Sequence, residues 1–388
     1  MLSRQIADKL QSLSAVRTPF YLYDMALLRQ TLESVVYESK KYGYRVHYAI
    51  KANFDDKILS VIKEYGIGID CASGNELRKA IEAGFDPASI VYAGVGKRDH
   101  ELEYAIDQKI MAINCESIEE LEVLNAMAEK KGVVVDVALR INPDIDPKTN
   151  HCIDTGQADS KFGISYEEVM ENAKSIQALK SVSINGIHIH IGSQIRELHV
   201  FENMCNKANV IVDSLEKLGF TFSFVDVGGG LGINYDVPEN EPIPNFASLF
   251  SIVSNHLNVG NKSIHFEFGR SLVGECGELI TKVLFNKTTA TGRKLVIIDG
   301  SMTELIRPAL YGSYHNIENI TSTCDQKQKY TIVGTACEST DVFEENISMP
   351  TTKRGDLLTM KSAGAYGMSM ASRYNLHDLP GAVYSDEL

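Results

Sequence analysis

Tyr44-Arg45-Val46-His47-Tyr48-Ala49-Ile50-Lys51-Ala52-Asn53 is a strand-like run of β-branched and aromatic residues that ends on a lysine, after which Ala-Asn breaks the strand. A lysine at the carboxyl end of a strand is ordinarily a solvated end. Here the flanking Ala49, Ile50 and Ala52 are small or apolar. They predict a partly desolvated amine with a lowered pKa, which is a usable nucleophile.

The pattern around this stretch repeats. A helix over 25–42 precedes the strand 44–50, and a helix at 57–65 precedes the strand 67–71. A helix opened by Ser73, with Glu76 three residues on, leads to the strand 90–94. Helix 99–108 leads to strand 110–114, and Ser117 with Glu120 opens helix 118–131 before strand 133–141. Helices 165–179, 197–218 and 246–258 precede strands 183–191, 222–227 and 263–268. Eight strands alternating with helices over about 245 residues predict an α/β fold of the (β/α)8 TIM-barrel type. A doubly wound open sheet is the alternative. The barrel is preferred because Lys51, Ser73, Gly94, Asn114, Asn142, His190, Gly228 and Glu267 all fall at carboxyl ends of strands, the face that carries a barrel's active site. After Arg270 the texture changes to short β-rich segments at 278–289, 293–299, 329–334 and 356–361, with a helical stretch only at 363–372. These predict a C-terminal all-β domain that the strand 18–24 joins. The expected division is 25–270 for the barrel and 1–24 with 271–388 for the β domain. A short amphipathic helix is expected over 1–13.

Composition excludes several classes. The 388 residues carry a formal net charge of -13, which disfavours nucleic acid and anionic membrane surfaces as partners. No apolar run is long enough to span a bilayer, and no signal-peptide core is visible. Seven cysteines without a CxxC pair suggest neither a zinc site nor a disulfide framework, and point to a reducing cytoplasm.

Chemistry-bearing residues collect at strand ends. Asp226-Val227-Gly228-Gly229-Gly230-Leu231-Gly232 is a glycine turn whose backbone N–H groups can close on a phosphate. His188 and His190 share a strand face by the two-residue period, and Ser193 follows them. They read either as interior histidines bonded to each other or as a histidine laid on an aromatic cofactor beside a phosphate; a metal site is a poor reading. Glu267-Phe268-Gly269-Arg270 ends the eighth strand with a carboxylate suited to a pyridinium nitrogen, or else with a plain Glu–Arg ion pair. Arg307 and Tyr311 stand in an exposed-looking turn, where a guanidinium suits bidentate capture of a carboxylate. Cys337-Glu338 follows a strand; a lone cysteine is more often buried filler than a catalyst. Tyr366 lies in a glycine-flanked stretch. A lysine, a phosphate cradle and a carboxylate at strand ends are together what a Schiff-base-bound pyridoxal 5′-phosphate needs, with Lys51 as its anchor.

Tyr48-Ala49-Ile50-Lys51-Ala52-Asn53, His190-Ile191-Gly192-Ser193-Gln194, Gly228-Gly229-Gly230-Leu231-Gly232, Arg307-Pro308-Ala309-Leu310-Tyr311, Cys337-Glu338-Ser339 and Gly364-Ala365-Tyr366-Gly367-Met368 together resemble the fold-type III pyridoxal-phosphate decarboxylases, over about Thr18 to Asn375. Within that family the set is most similar to the branch acting on diaminopimelate. The resemblance implies decarboxylation of meso-2,6-diaminopimelate at its D-centre to L-lysine and carbon dioxide, the last step of lysine biosynthesis. It implies that Lys51 carries the cofactor, His190 stacks on its ring, and Ser193 with Gly228, Gly229 and Gly230 holds its phosphate. Glu267 pairs with the ring nitrogen. Gly269 and Tyr366 line the cofactor site, and Arg270, Arg307, Tyr311 and Tyr366 contact substrate or cofactor oxygens. Cys337, as proton donor, and Glu338, reading the distal amine, come from the partner in a homodimer that shares its active sites. The family usually has proline where this chain has Phe268, which bears on how Arg270 is aimed. The rivals are decarboxylases of ornithine, arginine or carboxynorspermidine. Glu338 after Cys337 argues against them, since ornithine-type enzymes carry aspartate there. A non-catalytic antizyme-inhibitor-like protein is disfavoured because Lys51, His190, Glu267 and Cys337 are all present. Closure of the loop 142–162 over the site is left open.

Overall fold

In the computed structural model the described residues are 6, 7, 9, 17–145 and 160–388. Most of the expected helix 1–13, Cys152 and most of the loop 142–162 therefore lie outside the described residues. The chain forms two compact units. One comprises Leu32–Gly232 and Asn245–Gly269; the other comprises Met1–Thr31, Ile233–Pro244 and Arg270–Leu388. The segment Ile233–Pro244, inside the expected 25–270 span, thus groups with the β-rich unit, where Tyr235 packs against His315.

The first unit is a closed parallel barrel. Its strands are Arg45–Ala49, Gly68–Cys71, Ile90–Tyr92, Ala112–Cys115, Val135–Asn142, Val182–His188, Phe224–Asp226 and Ser263–Phe268, with Ile164–Ser165 added beside Asn142. Closure comes from the pairing of Ser263–Phe268 with Arg45–Ala49, in which Glu267 stands opposite His47 and Phe268 opposite Tyr48. The helices Asp99–Gln108 and Ile118–Lys131 have the bounds their spacing predicts. Ser73 and Ser117 cap their helices by accepting from Glu76 N and Glu120 N. The acidic partners reach one residue further back than a capping box, taking the N–H of Ala72 and Glu116 at 2.6 and 2.8 Å.

Phe268 stands on the last barrel strand and is buried. It packs on Phe246, Phe250 and Phe266 with ring centroids 5.5–6.0 Å apart. A large ring filling this aromatic cluster is a packing reason for phenylalanine at this position.

At the amino-terminal end of the strands, His47 Nε2 and His265 Nδ1 lie 3.1 Å apart, His47 Nδ1 faces Ser89 O at 3.1 Å, and His265 stacks on Phe224. Glycines make this room. A Cβ on Gly68 would fall 2.5 Å from His47 Nδ1, and one on Gly186 would enter the Phe224 ring.

The second unit is an eight-stranded, mostly antiparallel sheet. Its path runs Ile317–Asn319, Leu357–Met360, Gly277–Thr288, Lys294–Ile298, Lys327–Val333, Val342–Pro350. Phe20–Tyr23 pairs antiparallel with Gly277–Thr288 and parallel with Gly381–Tyr384, as expected for a returning N-terminal strand. Two expectations fail here. The stretch 363–372 holds only a single turn at Met368–Met370, because Ala363 N and Gly364 N donate to Gly277 O and Gly274 O instead of continuing a helix. Arg307–Tyr311 is a short helix with Arg307 only 4% exposed, not an exposed turn.

Burial holds His47 down to about 4 and His265 to about 3, against an ordinary value of 6.5. The unfolded chain therefore binds more protons than the folded one below pH 6.5, so stability is lost as pH falls from 6.5 towards 4. Each such histidine contributes about 1.4 kcal/mol per pH unit once it is charged in the unfolded chain. His47→Gln is expected to flatten the fall of Tm between pH 6.5 and 4.5, measured by calorimetry beside the parent chain.

Candidate active site

Lys51 sits on a single 3-10 turn, Ile50–Ala52, directly after the strand Arg45–Ala49. The turn buries Ile50 and Ala52 and leaves the lysine side chain 43% exposed. The expected desolvation by its apolar neighbours is thus not what surrounds the amine. Its surroundings are instead electrostatic, with Nζ 3.4 Å from Oδ2 of the buried Asp70. Burial, with Glu267 adding and Lys51 opposing, pushes Asp70 up to about 6.

Glu267 is the centre of the polar cluster. Its Oε2 is 3.0 Å from His188 Nε2, and its Oε1 accepts from Asn114 Nδ2 at 3.4 Å. Burial alone would raise its pKa; His188, then Lys51 and His190, outweigh it and hold the carboxyl far below its usual range. The neighbouring Asp226 moves the other way. Burial, then the Glu267 charge, pushes its pKa well up, while its Oδ1 takes the N–H of Gly228 at 2.8 Å. Two carboxyls this close in a low-dielectric interior do not both ionise, so Glu267 keeps the charge. His188 thus bonds to Glu267 and not to His190, which corrects the reading of two histidines bonded to each other. The sequence spacing also hid the acids beside His188, since Glu267 and Asp226 reach it from other strands.

His190 Nδ1 accepts from Gly229 N at 3.1 Å, so its proton sits on Nε2. Burial, then Arg140 and Lys51, holds the imidazole well below its ordinary value, hence neutral. Gly228 and Gly230 have φ of 68° and 105°, and a Cβ on Gly229 would lie 1.9 Å from Glu267 O. The glycines are therefore needed to bring the turn against the strand ends. The amides of Gly228 and Gly229 are used by Asp226 and His190, so the expected three-amide cradle is narrower than the glycine count suggests. Ser193 follows Gly192, at φ 144°, and is partly buried. Gly269 ends this unit.

Sequence reading missed Asp70, Arg140, Glu116 and Asp226 as members of the cluster. Arg140 Nη1 meets Glu116 Oε1 at 2.6 Å, and Glu116 also accepts from Gly94 N and Gly163 N. Their signal was available: Asp70, Arg140 and Asp226 stand within the last three residues of their strands, and Glu116 directly follows one.

The β-rich unit holds its own cluster. Arg270, Arg307, Tyr235, Tyr366 and His315 lie together. Arg270 Nη1 donates to Tyr235 Oη at 2.6 Å, and its guanidinium lies 4.8 Å from the Tyr366 ring centre. Arg307 lies 4.6 Å over the Tyr235 ring, and among the described residues its guanidinium is met by His315 and Ser313 with no carboxylate ion pair. Burial, with the Arg270 charge adding to it, lowers the Arg307 pKa. Tyr366 adopts φ 57°, an uncommon conformation for a side-chain-bearing residue. Tyr311 ends the short helix and is partly buried. Cys337 and Glu338 are exposed, and Cys337 N donates to Asn375 Oδ1 at 2.7 Å.

The barrel residues offer a primary amine, a buried carboxylate anion, a neutral imidazole and a glycine turn. That donor set fits a group bearing an aldehyde, a basic ring nitrogen and a phosphate. Residues 28–274 match the family model for the pyridoxal-dependent decarboxylase, pyridoxal binding domain. The diaminopimelate decarboxylase of Bacteroides thetaiotaomicron is 46% identical over 383 residues, 98% of each chain. The crystal structure of diaminopimelate decarboxylase from Helicobacter pylori complexed with L-lysine superposes with a TM-score of 0.92 at 34% identity, covering 98% of this chain and 94% of that one. The M. jannaschii enzyme in co-complex with L-lysine gives 0.89 at 32%, covering 99% and 89%. The chain belongs to the pyridoxal-dependent decarboxylase family, and within it to the diaminopimelate decarboxylases. Its cofactor is pyridoxal 5′-phosphate. Among the described residues no helix is long and apolar enough to cross a membrane.

Gly229→Ala drives a methyl into Glu267 O, so the turn must shift. It is expected to lower Tm by the equivalent of about 1–3 kcal/mol of overpacking and to weaken cofactor retention, read from melting curves and from absorbance of the bound cofactor after gel filtration.

Proposed function

We propose that the protein removes carbon dioxide from the D-centre of meso-2,6-diaminopimelate and releases L-lysine, with the residue roles as follows. Lys51 Nζ would hold the cofactor covalently, His190 would stack on its ring, Ser193 and Gly230 would receive its phosphate, and Glu267 would keep its ring nitrogen protonated. When bound, the cofactor supplies an electron sink for the bond that breaks. Glu267 suits its part because His188 keeps it anionic inside the barrel. His190 suits its part because it is neutral and held by Gly229. Cys337 would return a proton to the α-carbon after carbon dioxide leaves, and Glu338 would read the distal ammonium. Both are exposed on their own chain, which supports their serving the site of a partner in a homodimer. Six cysteines among the described residues are free thiols, in keeping with a reducing, cytoplasmic setting.

The observation that carries the choice of substrate is the Arg270–Arg307 pair. Arg307 is buried without a carboxylate partner among the described residues, which is costly, and the Arg270 charge beside it adds to that cost. Such a pair is suited to an incoming carboxylate. Diaminopimelate retains a carboxylate at its non-reacting end; ornithine and arginine have none there. Carbon dioxide release measured side by side is expected for meso-diaminopimelate, with ornithine and arginine near background. Equal rates on ornithine would remove the role given to the two arginines.

Lys51→Ala is expected to lower turnover by several orders of magnitude and to leave no borohydride-fixable chromophore. A variant that works at near-parent rate would refute the role of Lys51.

A further inference from the structure

Arg307 must be aimed by something, and the usual way to aim a buried guanidinium is a carboxylate. Here the job falls to a neutral ring. Arg307 Nη1 lies 2.7 Å from His315 Nε2, and Arg307 Nη2 donates to Ser313 Oγ at 3.3 Å. On the far side of the imidazole, His315 Nδ1 lies 2.8 Å from the carbonyl oxygen of Lys361. Both His315 and Arg307 are buried.

The two partners fix the tautomer twice over. Arg307 can only donate, so His315 Nε2 must present its lone pair; Lys361 O can only accept, so His315 Nδ1 must carry the proton. The carbonyl is itself anchored. Lys361 N donates to Asn316 O at 2.9 Å, and the buried Lys361 ammonium is bound by Glu318 at 2.5 Å and by Glu239. The imidazole also meets the Tyr235 ring edge-on, with centroids 5.1 Å apart, while Arg307 lies over that ring's face. Burial, then Arg307, holds His315 down to about 3, so it is neutral throughout the working pH range.

From this geometry we infer that His315 is a positioning residue which holds Arg307 for the substrate carboxylate while leaving its charge unspent. An aspartate or glutamate at 315 would aim the guanidinium equally well but would neutralise it and compete with the substrate's own carboxylate. A neutral acceptor of fixed tautomer does the first without the second. The inference rests on the proposal that Arg307 binds a substrate carboxylate.

The test uses the loaded enzyme and four variants: Arg307→Gln, His315→Leu, His315→Gln and the double Arg307→Gln/His315→Leu. His315→Leu is expected to raise KM for meso-diaminopimelate roughly 10- to 100-fold, the effect of losing one charge-assisted hydrogen bond. Its kcat should change several-fold at most, and its bound-cofactor absorbance should match the parent. His315→Gln, whose amide can accept from Arg307 and donate to Lys361 O, should recover most of that loss. The double variant should be no worse than Arg307→Gln alone, because both changes remove the same interaction. If Arg307→Gln leaves KM unmoved, the substrate reading itself fails. If Arg307→Gln raises KM but His315→Leu does not, or the two losses multiply in the double variant, the positioning role is overturned while the substrate reading stands. Should His315→Leu not fold, 15N NMR of the parent decides: protonated Nδ1 with bare Nε2 supports the role, and any other state at neutral pH overturns it.

Discussion

A single buried anion organises the barrel. Glu267 comes from the last strand, its main partner His188 from another, and Asn114 from a third, so the charge is held only when the sheet has closed. Asp226 lies beside it and gives up its own ionisation to burial and to the Glu267 charge. The arrangement keeps one negative charge, at one place, in a medium where an isolated carboxylate would take up a proton.

The second unit solves the mirror problem. There two guanidiniums, Arg270 and Arg307, are buried side by side against the aromatic faces of Tyr235 and Tyr366, with the lone pair of His315 accepting from Arg307. A buried Arg307 held by a neutral acceptor beside a second cation is a poor device for stability, and its chemistry suits an incoming acid group.

Most elements were legible because their signals are local. Helices such as Ile118–Lys131 carry a cap at one end and a glycine at the other, and strands such as Ser263–Phe268 alternate polar and apolar residues with the two-residue period. The strand Val342–Pro350 was not seen. Glu344 and Glu345 stand in its middle, and Asn346 at φ 58° breaks its two-residue alternation, so only pairing with Lys327–Val333 makes it a strand. Gly381–Tyr384 is short, and it is defined by the neighbour it pairs with. The turns around Tyr366 read as helix because glycine and alanine are locally permissive; hydrogen bonds to Gly274 O and Gly277 O decided otherwise.

The sequence by itself determined the alternation of strands and helices, the barrel and the returning strand Phe20–Tyr23, and it put forward Lys51, His190, Glu267 and Arg307 as candidates for chemistry, because periodicity, capping and strand-end position are properties of neighbours along the chain. Only the tertiary structure decided that Lys51 reaches the buried Asp70, that His188 serves Glu267, that Gly228 and Gly229 spend their amides internally, and that Arg307 is buried against His315. Those facts depend on which side chains meet across tens or hundreds of residues, and burial and charge at such meetings have no counterpart in local sequence.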